Sequence, residues 1–265
     1  IAVTRSEIDS AAKVLASARS EGEIVTGLEP RMRPRDEKES YLIQDRVHEF
    51  LEEQGRGRVI GHKIGCTTPI MQEFLGIDNP CAGGMLESGF HRDKGVFVHS
   101  SFRRVGVECE IAVRIASPIG FGNPKSGVEE IASCVGEVLP AIEVVDDRYD
   151  NYELLGASTL IADDFFHSGC VVGTASSSWK DVDLASVKGS MHINGELVGS
   201  GVGSDIMGHP FKALSWLAKL FEDRGKVIRP GEFVLLGSVV ETKWVEQGDV
   251  IRVNMDQLGE VEAHF

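Results

Sequence analysis

Residues 106–113 read GVECEIAV, and this stretch decides how the body of the chain folds. Apolar residues recur at every second position from 105 to 113, which predicts a β-strand with one face in a core. Side chains two residues apart on a strand point the same way and lie about 6.5 to 7 Å apart. Glu108 and Glu110 therefore share the other face. Taken alone, such a pair is typical of a strand side that faces solvent.

A further carboxylate lies in an apolar run along the chain. Glu143 stands in the middle of AIEVV at 141–145, where a charge is costly unless it is paired, protonated or bound to metal. If Glu143 lies beside Glu108 and Glu110, each like-charge pair at about 5 Å costs roughly 3 kcal/mol at an effective dielectric near 20. A divalent cation would reverse that sign, and all-oxygen ligands favour magnesium, manganese or calcium over zinc or copper. That the three meet is a hypothesis at this point.

Lys63 stands in another apolar run, VIGHKIGCT at 59–67, between two glycines. A lysine kept from water has a lowered pKa and can exchange protons near neutrality, which makes Lys63 a candidate catalytic group. The alternative is a strand lysine whose charged end reaches solvent.

The rest of the chain predicts an α+β fold. Residues 1–57 form a small helical N-terminal portion, with helices over 6–20 and 36–53, and residues 58–265 form a β-rich body. Two helices interrupt the body, at 126–140 and 209–225. The predicted strands cover 58–64, 95–98, 105–115, 141–146, 169–173, 190–194, 233–239 and 249–254.

Composition narrows the class of protein. The chain has 265 residues, 42% hydrophobic content and a net charge of −14, which argues against disorder and against a nucleic-acid partner. No apolar run approaches the roughly 20 residues of a membrane helix, and the first residues alternate in polarity unlike a signal peptide. The five cysteines are widely spaced and odd in number, which favours reduced thiols. We expect a soluble cytoplasmic protein without a membrane partner.

With these pieces together, the chain resembles the hydratase/decarboxylase branch of the fumarylacetoacetate hydrolase superfamily, typified by 2-keto-4-pentenoate hydratase. The resemblance rests on four blocks in order: the glycine-lysine block GHKIGCTTPIMQEFLGIDNPCAGGML, the strand VECEIAV, the strand PAIEVVDDR, and the long segment 194–239 that ends in a glycine-serine turn. Each block is moderately specific, and their order is highly specific.

The resemblance implies a distorted, barrel-like β body and a set of site residues. It implies that Glu108, Glu110 and Glu143 hold Mg²⁺ or Mn²⁺, and that Lys63 and Asp78 act in or beside the active site. It also implies a homo-oligomer, with a related decarboxylase or hydratase subunit as a further possible partner. The glycine-serine turn, Gly237 and Ser238, is a candidate substrate-binding element.

One segment departs from the family pattern. Where the family has an Asp-Asn-Ala-Ser-Ser-Gly-like sequence, this chain reads ADDFFHSGC. Phe165 and Phe166 are therefore candidate pocket residues, and Ser168 is the candidate for the family's catalytic serine. Arg148, in the sequence DDRY, could bind a distal substrate carboxylate or pair with Asp146 or Asp147.

The resemblance predicts a metal-dependent hydratase of aromatic-compound catabolism, which adds water to 2-hydroxypenta-2,4-dienoate-like 2-oxo acids to give 4-hydroxy-2-oxo acids. Three alternatives remain open: a 2-oxo-3-hexenedioate (4-oxalocrotonate) decarboxylase, an acylpyruvate-type hydrolase, and a metal-binding partner subunit without turnover. A lysine outside the metal cleft would favour the last of these.

Overall fold

A computed structural model describes residues 3–175 and 178–265. The six α-helices of this part are α1 (Arg5–Glu21), α2 (Glu37–Leu51), α3 (Pro69–Leu75), α4 (Gly127–Ala132), α5 (Ala157–Ala162) and α6 (Pro210–Asp223). Its fifteen strands are β1 (Val59–Gly65), β2 (Cys81–Leu86), β3 (Phe90–Arg92), β4 (Lys94–Val96), β5 (Val105–Ile115), β6 (Ile119–Gly120), β7 (Val135–Asp146), β8 (His167–Val172), β9 (Lys188–Ile193), β10 (Glu196–Val202), β11 (Val227–Ile228), β12 (Phe233–Ser238), β13 (Lys243–Trp244), β14 (Val250–Met255) and β15 (Gly259–His264). No helix in the described ranges is long and apolar enough to cross a membrane.

The strands form one large sheet and two smaller ones. The large sheet runs in the order β2-β1-β12-β5-β7-β8-β3, and β13 also pairs with β5. A second sheet has the order β10-β9-β14-β15-β4, and β11 pairs with β6. The predicted α+β fold with a β-rich body is confirmed, although the strand pairings of the described residues do not close a barrel.

The N-terminal helices pack into the same core as the sheet. Ala11 and Leu15 of α1 and Ile43 of α2 are fully buried and belong to one hydrophobic cluster with Ile64 of β1. The predicted division after residue 57 coincides with the change from helices to strands, since β1 begins at Val59. The division into a helical portion, 1–57, and a β-rich body, 58–265, as two domains stays a prediction.

One predicted helix is largely a strand. The helix expected over 126–140 ends at Ala132, and β7 starts at Val135. The apolar residues of this segment fit a helical period, but β7 pairs with β5 over the whole length of that strand, with Val138 opposite Val113. Long-range strand pairing and burial thus override the local pattern.

Candidate active site

Three glutamates meet in the middle of the large sheet. Glu108 and Glu110 lie on one face of β5, and the antiparallel register places Glu143 of β7 directly opposite Glu108. One carboxylate oxygen from each of the three lies within 4.8 Å of the others. Glu110 and Glu143 are buried and Glu108 is half-buried, so this strand face is not a solvent-exposed surface.

Each carboxylate is held by a neighbouring donor. Thr242 Oγ1 donates to Glu108 Oε1 at 2.6 Å, and the Gly237 amide donates to Glu110 Oε2 at 2.7 Å. Glu143 Oε1 lies 3.1 Å from Lys63 Nζ and 2.9 Å from His167 Nδ1. Such partners fix the orientation of carboxylate groups that bind a metal.

The remaining oxygens fit a hard divalent cation. Glu110 Oε1 and Glu143 Oε2 are buried and have no hydrogen-bond partner within the described part of the chain. Buried oxygens of this kind are costly unless something satisfies them. Three converging carboxylates, two of them with an unpaired oxygen, are the ligand type of Mg²⁺, Mn²⁺ or Ca²⁺.

The pKa values show how crowded the negative charge is. Burial and the Glu143 carboxylate raise the pKa of Glu108 to about 7. Burial, Glu143 and Glu108 raise the pKa of Glu110 well above its usual range. Burial also raises the pKa of Glu143, but Lys63 and His167 outweigh burial and lower it to about 2. The glutamates therefore resist carrying three charges together without a cation.

Lys63 lies beside the glutamates, as a catalytic role requires. Its Nζ donates to the Phe165 carbonyl at 2.9 Å and lies 5.2 Å from the centre of the Phe165 ring. The expected lowering of its pKa is wrong. Burial lowers the pKa of Lys63, but the Glu143 and Glu108 carboxylates more than offset burial, and the net pKa is raised.

The two phenylalanines of the segment that departs from the family pattern have different surroundings. Phe165 lies against Lys63 and Gly65, where a Cβ on Gly65 would come within 3.1 Å of the Phe165 ring. Phe166 packs edge-on against Tyr149 and Tyr152, at ring distances of 5.3 and 5.4 Å. Of the two, Phe165 is the one that lies next to Lys63, and the substrate contacts of both stay predictions.

Arg148 is engaged by a partner that the sequence did not indicate. Its Nη2 donates to the Asp163 carbonyl at 2.9 Å, its Nη1 to the His167 carbonyl at 3.0 Å, and its Nε lies 3.3 Å from Asp163 Oδ2. The expected side-chain partners were Asp146 or Asp147, and the observed partner is Asp163. This guanidinium is buried and hydrogen-bonded, and its role as a substrate ligand stays a prediction.

The four other candidate residues differ in how close they lie to the glutamate cluster. Asp78 is exposed in the turn after α3. Ser168 is half-buried beside His167, and both line a groove together with Arg19. The Gly237 amide donates to Glu110, and φ of Gly237 is 136°. A Cβ at this position would come within 3.0 Å of the Thr67 side chain. The Ser238 hydroxyl donates to the Val240 carbonyl at 2.6 Å and ties β12 to β5. The roles proposed for these residues remain predictions.

Sequence reasoning missed several supporting residues. Nothing in the pattern indicated Thr242, which lies 134 positions from its partner Glu108. The adjacent carboxylates Asp163 and Asp164 did carry a signal, because two acidic residues between an apolar run and two phenylalanines are unusual for a surface loop.

The family follows from comparison with known proteins. Residues 87–265 match the family described as fumarylacetoacetate (FAA) hydrolase, C-terminal, and the chain belongs to this family. Among its relatives, a 4-oxalocrotonate decarboxylase of Pseudomonas putida is 30% identical over 227 residues, which are 86% of this chain and 84% of the relative. A 2-keto-4-pentenoate hydratase of Paraburkholderia xenovorans is 28% identical over 263 residues, which are 99% of this chain and 96% of the relative.

A solved structure extends the likeness to the whole fold. The 4-oxalocrotonate decarboxylase from Pseudomonas putida G7, complexed with magnesium and adipate, superposes with a TM-score of 0.92 at 26% identity. The match covers 100% of this chain and 99% of that one. The resemblance to the hydratase/decarboxylase branch is confirmed.

Proposed function

We propose that the chain is a metal-dependent lyase that adds water to 2-hydroxypenta-2,4-dienoate-like substrates and gives 4-hydroxy-2-oxo acids. The observation that carries the proposal is the position of Lys63 Nζ, 3.1 Å from Glu143 in a cluster of three converging carboxylates. Hydratases of 2-keto-4-pentenoate that align with 97 to 99% of this chain support the reaction class.

The three glutamates would hold Mg²⁺ or Mn²⁺, in line with the magnesium of the decarboxylase structure. When bound, such a cation stabilises negative charge that develops on a 2-oxo acid. The protein groups around it fix the ligand oxygens and keep much of the site from water, since Glu110 and Glu143 are both buried.

Lys63 is the candidate for proton transfer. An ammonium group has three N–H donors, and the Glu143 carboxylate and the Phe165 carbonyl occupy two of them. The third remains for a substrate carbon or for water. The Lys63 ammonium would protonate C5 of the dienol as the C2 hydroxyl loses its proton, which gives the 2-oxo-3-enoate. The resulting amine would take a proton from the water that adds at C4, while C3 takes up the proton that the hydroxyl released.

The choice of hydratase over decarboxylase depends on charge. A dicarboxylate substrate needs a cation for its distal carboxylate, because an unpaired buried carboxylate is costly. Lys63 is assigned to proton transfer, and the Arg148 guanidinium pairs with Asp163. This favours a monocarboxylate with an uncharged tail.

Decarboxylation of 2-oxo-3-hexenedioate is the second candidate. It is favoured by the 30% identity to a decarboxylase and by the solved decarboxylase that holds adipate, a dicarboxylate. A partner subunit without turnover is disfavoured, because Lys63 lies inside the metal cleft.

The test is turnover of a small panel of 2-oxo-enoates with added magnesium or manganese, with absorbance and released CO₂ as readouts. Water addition without CO₂ supports a hydratase. An acylpyruvate is tested beside this panel, and cleavage of its carbon–carbon bond by water would indicate a hydrolase.

The cellular setting is part of the proposal. All five cysteines are buried and free, which suits a reducing cytoplasm. We place the chain there as a homo-oligomer, with a related decarboxylase or hydratase subunit as a possible partner. Size measurement in solution, alone and mixed with such a subunit, tests this assembly.

A further inference from the structure

The segment between α5 and β8 has a backbone that few sequences adopt. Three consecutive residues without glycine, Asp164, Phe165 and Phe166, have φ of 58°, 46° and 67°. Non-glycine residues visit the left-handed region as single residues, and a run of three persists only where the surroundings enforce it. We name residues 163–167 the left-handed turn.

Side chains from both N-terminal helices hold this turn. Arg19 of α1 lies 2.8 Å from Asp163 Oδ1 through Nε and 2.8 Å from Asp164 Oδ2 through Nη2, and Nη2 also donates to the Asp163 carbonyl at 2.6 Å. His48 of α2 lies 2.7 Å from Asp164 Oδ1, and the Gly84 amide donates to the same oxygen at 2.8 Å. Both aspartates are fully buried, so they depend on these partners.

The left-handed turn contacts both Lys63 and the glutamate cluster of the candidate site. Its Phe165 carbonyl accepts from Lys63 Nζ at 2.9 Å, and its last residue, His167, lies 2.9 Å from Glu143 Oε1. A direct chain of contacts thus runs from Arg19 through Asp164 to the amine of Lys63.

We propose that Arg19 and His48 are positioning residues for Lys63, acting through the left-handed turn. The N-terminal helices then form part of the catalytic apparatus, although they lie outside the 87–265 region that matches the family. The catalytic consequence rests on the proposed function, whereas the control of the turn's conformation does not.

The test compares Arg19→Met with a matched control, Arg46→Met. Arg46 also joins the two helices, through Asp9 at 2.7 Å, and has no contact with the turn among the described residues. The first readout is amide hydrogen exchange of a peptide spanning 160–168, because the Phe165 amide donates to the Leu160 carbonyl at 2.8 Å. We expect exchange at least tenfold faster in Arg19→Met and unchanged in Arg46→Met.

The second readout separates positioning from general damage. We expect Arg19→Met to lower kcat at least 30-fold, with KM and the calorimetric Mn²⁺ affinity within about threefold. The glutamates lie on β5 and β7, and His167, the turn residue that contacts Glu143, is also held in β8 by pairing with β7. Arg19→Lys should restore part of kcat. Equal kcat losses in Arg19→Met and Arg46→Met, or unchanged exchange of 160–168, would overturn the proposal.

His48→Leu serves if Arg19→Met does not fold, which thermal unfolding will show. It removes one partner of Asp164 and leaves Arg19 in place, so we expect about threefold faster exchange of 160–168 and a several-fold lower kcat. No change in that exchange again rejects the proposal. If the parent protein turns over no 2-oxo-enoate, the proposed function fails, and exchange still decides whether the helices control the turn.

Discussion

Replacing Glu108 by glutamine should weaken metal binding and leave the metal-free protein at least as stable. At 4.8 Å and an effective dielectric near 20, two full negative charges repel by about 3.5 kcal/mol. Because the pKa of Glu108 is raised to about 7, Glu108 carries only part of a negative charge at neutral pH. Removing that charge therefore relieves less repulsion than the value for two full charges. Thr242 keeps an acceptor, since the glutamine carbonyl can replace Oε1. The removed charge should cost at least 100-fold in affinity, about 2.7 kcal/mol.

Calorimetric titration with Mn²⁺ and Mg²⁺, together with thermal unfolding of the metal-free protein, measures both effects. Glu137→Gln is the matched control, because Glu137 lies on the same strand as Glu143, also has a buried oxygen without a hydrogen bond in the described chain, and is not in the cluster. We expect Glu137→Gln to retain the parent affinity. Equal affinity of Glu108→Gln and the parent protein would refute the metal site, and a strong loss in Glu137→Gln would show that the assay reports on the fold.

Three further predictions follow from the site. Lys63→Met should bind Mn²⁺ within about threefold of the parent and lose at least 1000-fold in kcat, measured by calorimetry and initial rates; retained turnover would exclude the lysine from the mechanism. Gly237→Ala should cost about 1 to 3 kcal/mol in thermal unfolding, because φ is 136°, and should also lower Mn²⁺ affinity, because the amide bonds Glu110; parent-like values in both assays would contradict this. Burial raises the pKa of Asp164, but His48 and Arg19 outweigh burial and hold this pKa well below its usual value. Asp164 therefore stabilises the fold at neutral pH, and this stabilisation is lost as the pH falls below about 4. Asp164→Asn should therefore be less stable at pH 7 and show a flatter loss of stability in acid, and an unchanged acid profile would argue against the pairing.

The face of β5 could be predicted because its period of two is strict and its apolar side is continuous. Glu143 could be predicted as a functional candidate, because a lone charge in an apolar strand needs a partner. Their meeting needed the register of β5 and β7, which sequence spacing does not contain.

Other features depend on long-range contacts that the sequence does not reveal. The start of β7 looked helical because the apolar residues after Val135 also fit a helical period, and only the pairing with β5 decides between the two. The raised pKa of Lys63 depends on carboxylates from other strands. The left-handed turn depends on Arg19 and His48, which lie more than 100 positions away.

Turnover of two defined substrates distinguishes water addition from decarboxylation. Parent protein and Lys63→Met are compared on 2-hydroxypenta-2,4-dienoate and on 2-oxo-3-hexenedioate, at the same concentration of magnesium, with released CO₂ measured alongside absorbance. We predict that the parent protein consumes the dienoate faster than the diacid and forms a 4-hydroxy-2-oxo acid without CO₂, and that Lys63→Met lacks this activity. Faster consumption of the diacid with stoichiometric CO₂ would contradict it and would identify a decarboxylase.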